Sequence, residues 1–249
     1  MSRAAFLALL LLPAPLRADG VALDYLVRYG PLTILELRTT ARLDAAGYET
    51  SSEMRTVGLA GVLFPWTSGA TTRGGRAAGA LRPRTHRSHG EYRGARRQVE
   101  IDYDETAVQA RVAPPPEADD REPVPPAAQQ DTIDPLTASL AAIESGCRGT
   151  LRIFDGRRRY DLALQDQGDA PLPDGRAGIY QGSARHCRGR VLPYAGFWRA
   201  AGREDERPAQ VDVWIAAPTP GMRPVPVHMQ LTAPRGTLGF DLTDARALP

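Results

Sequence analysis

The stretch Leu35-Glu36-Leu37-Arg38-Thr39-Thr40-Ala41-Arg42-Leu43 decides the fold. Leu35, Leu37, Thr39, Ala41 and Leu43 make one mostly apolar face, and Glu36, Arg38, Thr40 and Arg42 point the other way. A period of two predicts an antiparallel strand with one face on a core and one in water. Val21, Leu23, Tyr25 and Val27 read as the preceding strand, with a turn at Gly30-Pro31, and Ala46-Gly47 turns the chain into a third strand, Tyr48–Thr56. The N-terminal part is therefore expected to be a β-meander.

Leu59, Val62, Leu63 and Phe64 follow ahead of Pro65, at spacings that fit a short helical turn or a buried loop. Strands are expected near residues 67–73, 84–88, 93–103 and 107–112. Residues 113–131 are rich in proline and acids and predict a flexible loop. Asp134-Pro135 then offers an N-cap and a preorganised first helical residue; Leu136, Leu140 and Ile143 recur on one face, and Gly146 can end the helix. Beyond it, Asp155-Gly156 marks a hairpin between residues 151–154 and 157–164. Further strands are expected at 177–187, 210–216, 225–231 and 237–242.

Arg3, the apolar run from Phe6 to Leu12, Pro13, Pro15 and Ala18 have the parts of a secretory leader. The run is shorter than the roughly 20 apolar residues of a membrane helix, and no later segment reaches that length. A signal peptide over residues 1–18 and a single β-rich domain over 19–249 are expected, in the periplasm. The net charge of +2 includes Arg3 and Arg17, so the mature chain is neutral (2 − 2 = 0) and has no global attraction for nucleic acid or an anionic membrane. Every basic residue is arginine, which excludes a Walker A phosphate loop and any lysine Schiff base.

Cys147 and Cys187 are expected to form a structural disulfide, which suits an oxidising compartment. A redox pair would favour a close Cys-x-x-Cys, and two cysteines are too few for a structural zinc site. His86 and His89, three apart on a strand, point to opposite faces and read as solvated surface histidines rather than metal ligands; His186 reads as a disulfide neighbour. No serine-nucleophile or dinucleotide signature occurs, so no catalytic residue, cofactor or metal site is expected. Arg84, Arg87 and Arg93 lie in a basic stretch and are candidate contacts for phosphate or carboxylate head groups, the plainer reading being that arginine is this chain's only cationic solubiliser.

The Tyr25 strand with its Gly30 turn, Asp134-Pro135-Leu136, Phe154-Asp155-Gly156-Arg157 with Tyr160, the cysteines Cys147 and Cys187, and the closing strands from Pro208 to Trp214 and Pro224 to Leu242 resemble an exported bacterial family, domain of unknown function 3108. The resemblance implies a mainly β fold: a twisted, partly closed antiparallel sheet, or half-barrel, with one amphipathic helix across its concave face, similar to periplasmic lipoprotein carriers. Most aromatic residues should be ordinary core. If the sheet curls around the helix, Trp66, Phe154, Trp214 and Phe240, with Leu136, Leu140 and Ile143 of the helix, become the candidate lining of an apolar pocket. The expected function is non-enzymatic binding or carriage of an apolar ligand, a lipid being one candidate. The alternative is an envelope structural or protein-interaction module with a filled core and no ligand.

Overall fold

The computed structural model describes residues 20–104, 107–115, 121–173, 178–198, 209–234 and 236–248. The expected leader lies outside the described residues. Thirteen strands form one antiparallel sheet. In chain order they are β1 Gly20–Tyr29, β2 Leu32–Leu43, β3 Tyr48–Thr56, β4 Trp66–Ala77, β5 Ala80–Tyr92, β6 Ala95–Tyr103, β7 Val108–Ala113, β8 Gly149–Phe154, β9 Arg159–Pro171, β10 Ser183–Ala195, β11 Gln210–Ala216, β12 Val225–Ala233 and β13 Gly236–Leu248. Among the described residues three helices join them: α1 Gly58–Leu63, α2 Pro126–Gln129 and α3 Pro135–Glu144.

The spatial order is β7-β6-β5-β4-β3-β2-β1-β13-β12-β11-β10-β9-β8. The chain starts mid-sheet, meanders out to β7, crosses to the opposite edge at β8 and meanders back until β13 pairs with β1. The half-wet alternation read from the sequence holds. Val21, Leu23, Tyr25, Val27, Leu37 and Leu43 are buried, while Arg38 and Arg55 lie on the wet side and bond Asp24 and Glu36.

Between β7 and β8 the seam is closed by side chains and crossing chain rather than by a continuous ladder. Phe154 of β8 packs with Val99 and Ile101 of β6 and with Val124 of the crossover. At the β8–β9 turn Gly156 (φ 87°) presses on Val99, where a Cβ would come within 2.2 Å of Cγ1. Arg157 donates to the Pro114 carbonyl at 2.8 Å. Ile133 adds a short parallel bridge to β8, bonding Arg152 and Phe154, and so covers an edge that would otherwise be open.

The expected flexible loop over 113–131 divides. Residues 116–120 lie outside the described residues, whereas 121–131 is anchored at two points: Val124 is buried, and the buried Arg121 guanidinium stacks 3.8 Å from the centre of the Trp198 ring. The strand expected over 177–187 begins later, at Ser183, and runs on to Ala195 as β10, with residue 177 of the expected range outside the described ones. At Leu59 to Phe64 the helical alternative holds, but α1 buries none of its residues, so this segment is no core element.

α3 sits inside the curl, against β3, β4, β5 and β8. Asp134 caps its N-terminus by accepting from the amides of Leu136 and Thr137, and Pro135 occupies the first turn. At the other end Gly146 (φ 60°) and Cys147 (φ 63°) turn the chain back, with the Cys147 amide bonded to the Ala142 carbonyl. Cys147 and Cys187 form the expected disulfide, with Cα atoms 5.4 Å apart. The bond ties the helix C-terminus to β10. No described helix is long and apolar enough to cross a membrane.

Candidate functional site

α3 divides the concave side into a filled half and an open half. Toward β2–β5, Leu140 packs with Leu43, Tyr48 and Leu81, and the wall is closed. Toward β9–β12 a cavity of about 310 Å³ remains. Its helical side presents Ala138, Ala142 and Ile143, and its sheet side presents Leu162 and Leu164 of β9, Val211, Val213 and Ile215 of β11, and Met229 and Leu231 of β12. Small residues leave the space. Ala138 and Ala142 present only methyl groups to it, and at Gly189 a Cβ would meet Leu162 Cδ1 at 2.7 Å.

Few polar groups reach this cavity. Arg158 lines it but is paired with Asp155 at 2.7 Å, and Asp155 holds its guanidinium charged against the desolvation of the site. Tyr160 also lines it, and burial, helped by the Asp155 charge, pushes its phenol above the ordinary range, so the hydroxyl stays neutral. A lining that is mostly aliphatic with a neutralised cation suits an apolar group. The volume corresponds to roughly ten water-sized or methylene-sized groups.

Of the residues proposed from sequence, Ile143 lines the cavity. Leu140 faces the closed wall, and Leu136 is half-buried outside the lining. A helix enclosed by a curled sheet is buried on two sides, so its apolar positions serve different walls instead of one stripe. Phe154 is fully buried at the seam, and Phe240 belongs to the main core with Val27 and Leu242. Trp66 sits half-buried at the start of β4 beside α1, away from the cavity. Trp214 alternates with Val213 and Ile215 and so turns away from it. The sequence could not resolve this because the curl decides which apolar side chains are covered. The cue it did hold was the alternation Val211, Val213, Ile215, read against the neighbouring Met229 and Leu231.

Two polar arrangements accompany the cavity. At the N-terminus of α3, Thr72 donates to Asp134 at 2.6 Å, the His86 ring lies 3.1 Å from the same carboxylate, and Thr137 donates to its other oxygen at 2.5 Å. Tyr48 joins through Thr137 at 2.6 Å. Burial favours the neutral acid, but the interaction with His86 and the hydrogen bonds from Thr137 and Thr72 outweigh it and hold the Asp134 carboxyl below its usual range. His86 is thus buried rather than solvated, a correction whose cause is the helix cap directed at it; His89 is exposed, and the two point to opposite faces as expected. Thr72, Asp134 and Thr137 are sealed from solvent, so the cluster anchors the helix and offers no substrate access.

Across β10–β13 and β1 runs a second ladder. Asp212 bonds His186 at 2.7 Å and Arg188 at 2.9 Å, His186 stacks on Trp214 at 4.4 Å between ring centres, and His228 bonds Asp241 at 2.8 Å, which also pairs with Arg28 at 2.8 Å. His186 is therefore more than a neighbour of the disulfide. It packs on the face opposite Cys187.

The arginine candidates do not converge. Arg87 pairs with Asp102 at 2.7 Å. Arg84 is exposed near the start of β5, and Arg93 follows its end, about 30 Å away at the usual strand rise. None of them lines the cavity. Among the described residues no group of histidine, cysteine and acids could hold a metal ion.

The sequence matches a family described as proteins of unknown function, DUF3108, over residues 24–243. No curated protein matches. A solved structure, a β-barrel-like protein of domain of unknown function DUF1849 from Brucella abortus, aligns at 9% identity and a TM-score of 0.49, covering 94% of this chain and 99% of that one. The family match spans most of the molecule, from the middle of β1 to β13 and across every element that builds the cavity, and the chain therefore belongs to the DUF3108 family.

Proposed function

We propose that this protein is a non-enzymatic carrier that holds one apolar chain, such as an acyl group of roughly ten carbons, between α3 and the β9–β12 wall, and that it works in the periplasm after export. The cavity carries this reading: it is aliphatic, its one lining cation is already neutralised, and its size is at the low end for small-molecule sites, about 300 Å³ upward. An oxidising compartment is supported by the disulfide that fixes α3 over the cavity. The signal-like N-terminus supports the same compartment.

A second reading, an envelope interaction module with a filled core, is favoured by the closed β2–β5 wall, where Leu140 meets Leu43, Tyr48 and Leu81. One experiment separates the two. Protein purified from periplasm is analysed by native mass spectrometry, and the delipidated protein is titrated with a fluorescent fatty acid. A co-purifying mass and saturable one-to-one binding, lost in Ala142→Phe, support the carrier. Bare protein with no uptake of the probe refutes it.

A further inference from the structure

Three chain reversals meet at one end of the sheet. The β1–β2 turn, α1 and the β5–β6 turn are neighbours, joined by the Val57 amide on the Ile34 carbonyl at 3.0 Å and by Arg93 on the Leu63 carbonyl at 3.4 Å. At this end the protein exposes apolar side chains that a surface normally hides. Leu59 is 72% exposed and Val62 78%, and Leu63 and Phe64 are both more than half exposed. Leu32 on the neighbouring turn is 63% exposed, and Tyr29 and Tyr92 flank the group. Such a contiguous patch marks an interaction surface.

Arg93 lies within the patch. Its guanidinium is 5.5 Å from the Phe64 ring centre and 5.3 Å from that of Tyr92, and it pairs with no acid among the described residues. The aromatic rings thus hold a cation whose anion is not supplied by the described chain.

We propose that this tip docks on the surface of an anionic phospholipid bilayer. The patch gathers the β1–β2 turn, α1 and the β5–β6 turn, and joins exposed aliphatic side chains to a cation with no acid beside it among the described residues. Exposed aliphatic side chains together with tyrosines and an arginine are the residue types of a bilayer interface: hydrocarbon, aromatic zone, phosphate. Arg93 supplies the contact to a lipid phosphate. This inference does not depend on the cavity holding a ligand.

The test is co-sedimentation of the intact protein with vesicles of phosphatidylethanolamine containing a minority of phosphatidylglycerol, at low and high salt. Wild type is expected to bind. The double variant Leu59→Asp with Val62→Asp should bind at least about tenfold more weakly, since each change removes an inserted aliphatic group. Arg93→Glu should bind several-fold more weakly and lose most of the salt dependence. Because these side chains are exposed, thermal unfolding should be unchanged, which separates docking from misfolding. Wild type left in the supernatant overturns the proposal, as does binding that the double variant leaves intact. A dimer that the double variant dissolves, without vesicle binding, overturns it in favour of a second copy of the chain.

Discussion

Replacing Asp134 with alanine should be among the most damaging single changes in this protein. The carboxylate is inaccessible to solvent and accepts from two backbone amides and two threonine hydroxyls, with the His86 ring beside it. Losing the cap costs about 1 kcal/mol. Thr72, Thr137 and His86 then lose a charged acceptor in a dry site, at about 1–3 kcal/mol for each donor left unpaired. Thr72 can still bond His86 and Thr137 can still bond Tyr48, so only part of this is felt. The expected loss is about 3–5 kcal/mol by urea denaturation of the oxidised protein. Asp134→Asn keeps one acceptor oxygen and should cost about half as much. A loss below about 1 kcal/mol for the alanine variant, or equal losses for both variants, would refute the assignment of this carboxylate as the anchor of α3.

The same group sets a pH dependence. Its folded pKa is depressed, so its contribution is fully present above the unfolded value of about 3.9 and is lost as pH falls through the folded value. Wild type should therefore lose stability below about pH 4 more steeply than Asp134→Ala, as measured by chemical denaturation across that range. Replacing Cys147 and Cys187 with serine opens a 40-residue separation and should cost about 4 kcal/mol in the same assay; an unchanged midpoint would show that the bond constrains nothing. Gly156→Ala puts a methyl against Val99 at a φ of 87° and should lower stability by about 2–3 kcal/mol, whereas Gly94→Ala, at φ 81° with open space around it, should cost about 1 kcal/mol. Equal thermal shifts for the two would mean that the seam between β6 and β8 is not tightly packed.

The sheet was legible in the sequence because each half-wet strand carries its own evidence. Alternation over Leu35 to Leu43, the turn residues between strands and the Asp134-Pro135 cap are local signals, and local physics decides them. The cavity was only partly legible. Ile143 was reachable from the helix pattern, but whether Trp214 or Val213 faces inward depends on which side of β11 the curl encloses, and that follows from the edge-to-edge crossing between β7 and β8. His86 carried no local sign of burial. Its partner Asp134 lies 48 residues further on, and only the docking of α3 brings them together (134 − 86 = 48). α1 is the opposite case: its apolar run fits a helical turn or a buried loop, and the fold makes it a helix that buries none of its residues.

The proposed carrier role requires that the space between α3 and the β9–β12 wall take an apolar chain. Methyl NMR of protein labelled at isoleucine, leucine and valine, titrated with decanoate after delipidation, tests it most directly. Saturable shifts at Ile143, Leu164, Val213 and Ile215, with contacts from those methyls to the ligand chain and none from Leu43 or Leu81 on the closed wall, are the predicted result. Unperturbed methyls at those four positions, or ligand contacts elsewhere on the molecule, would contradict it.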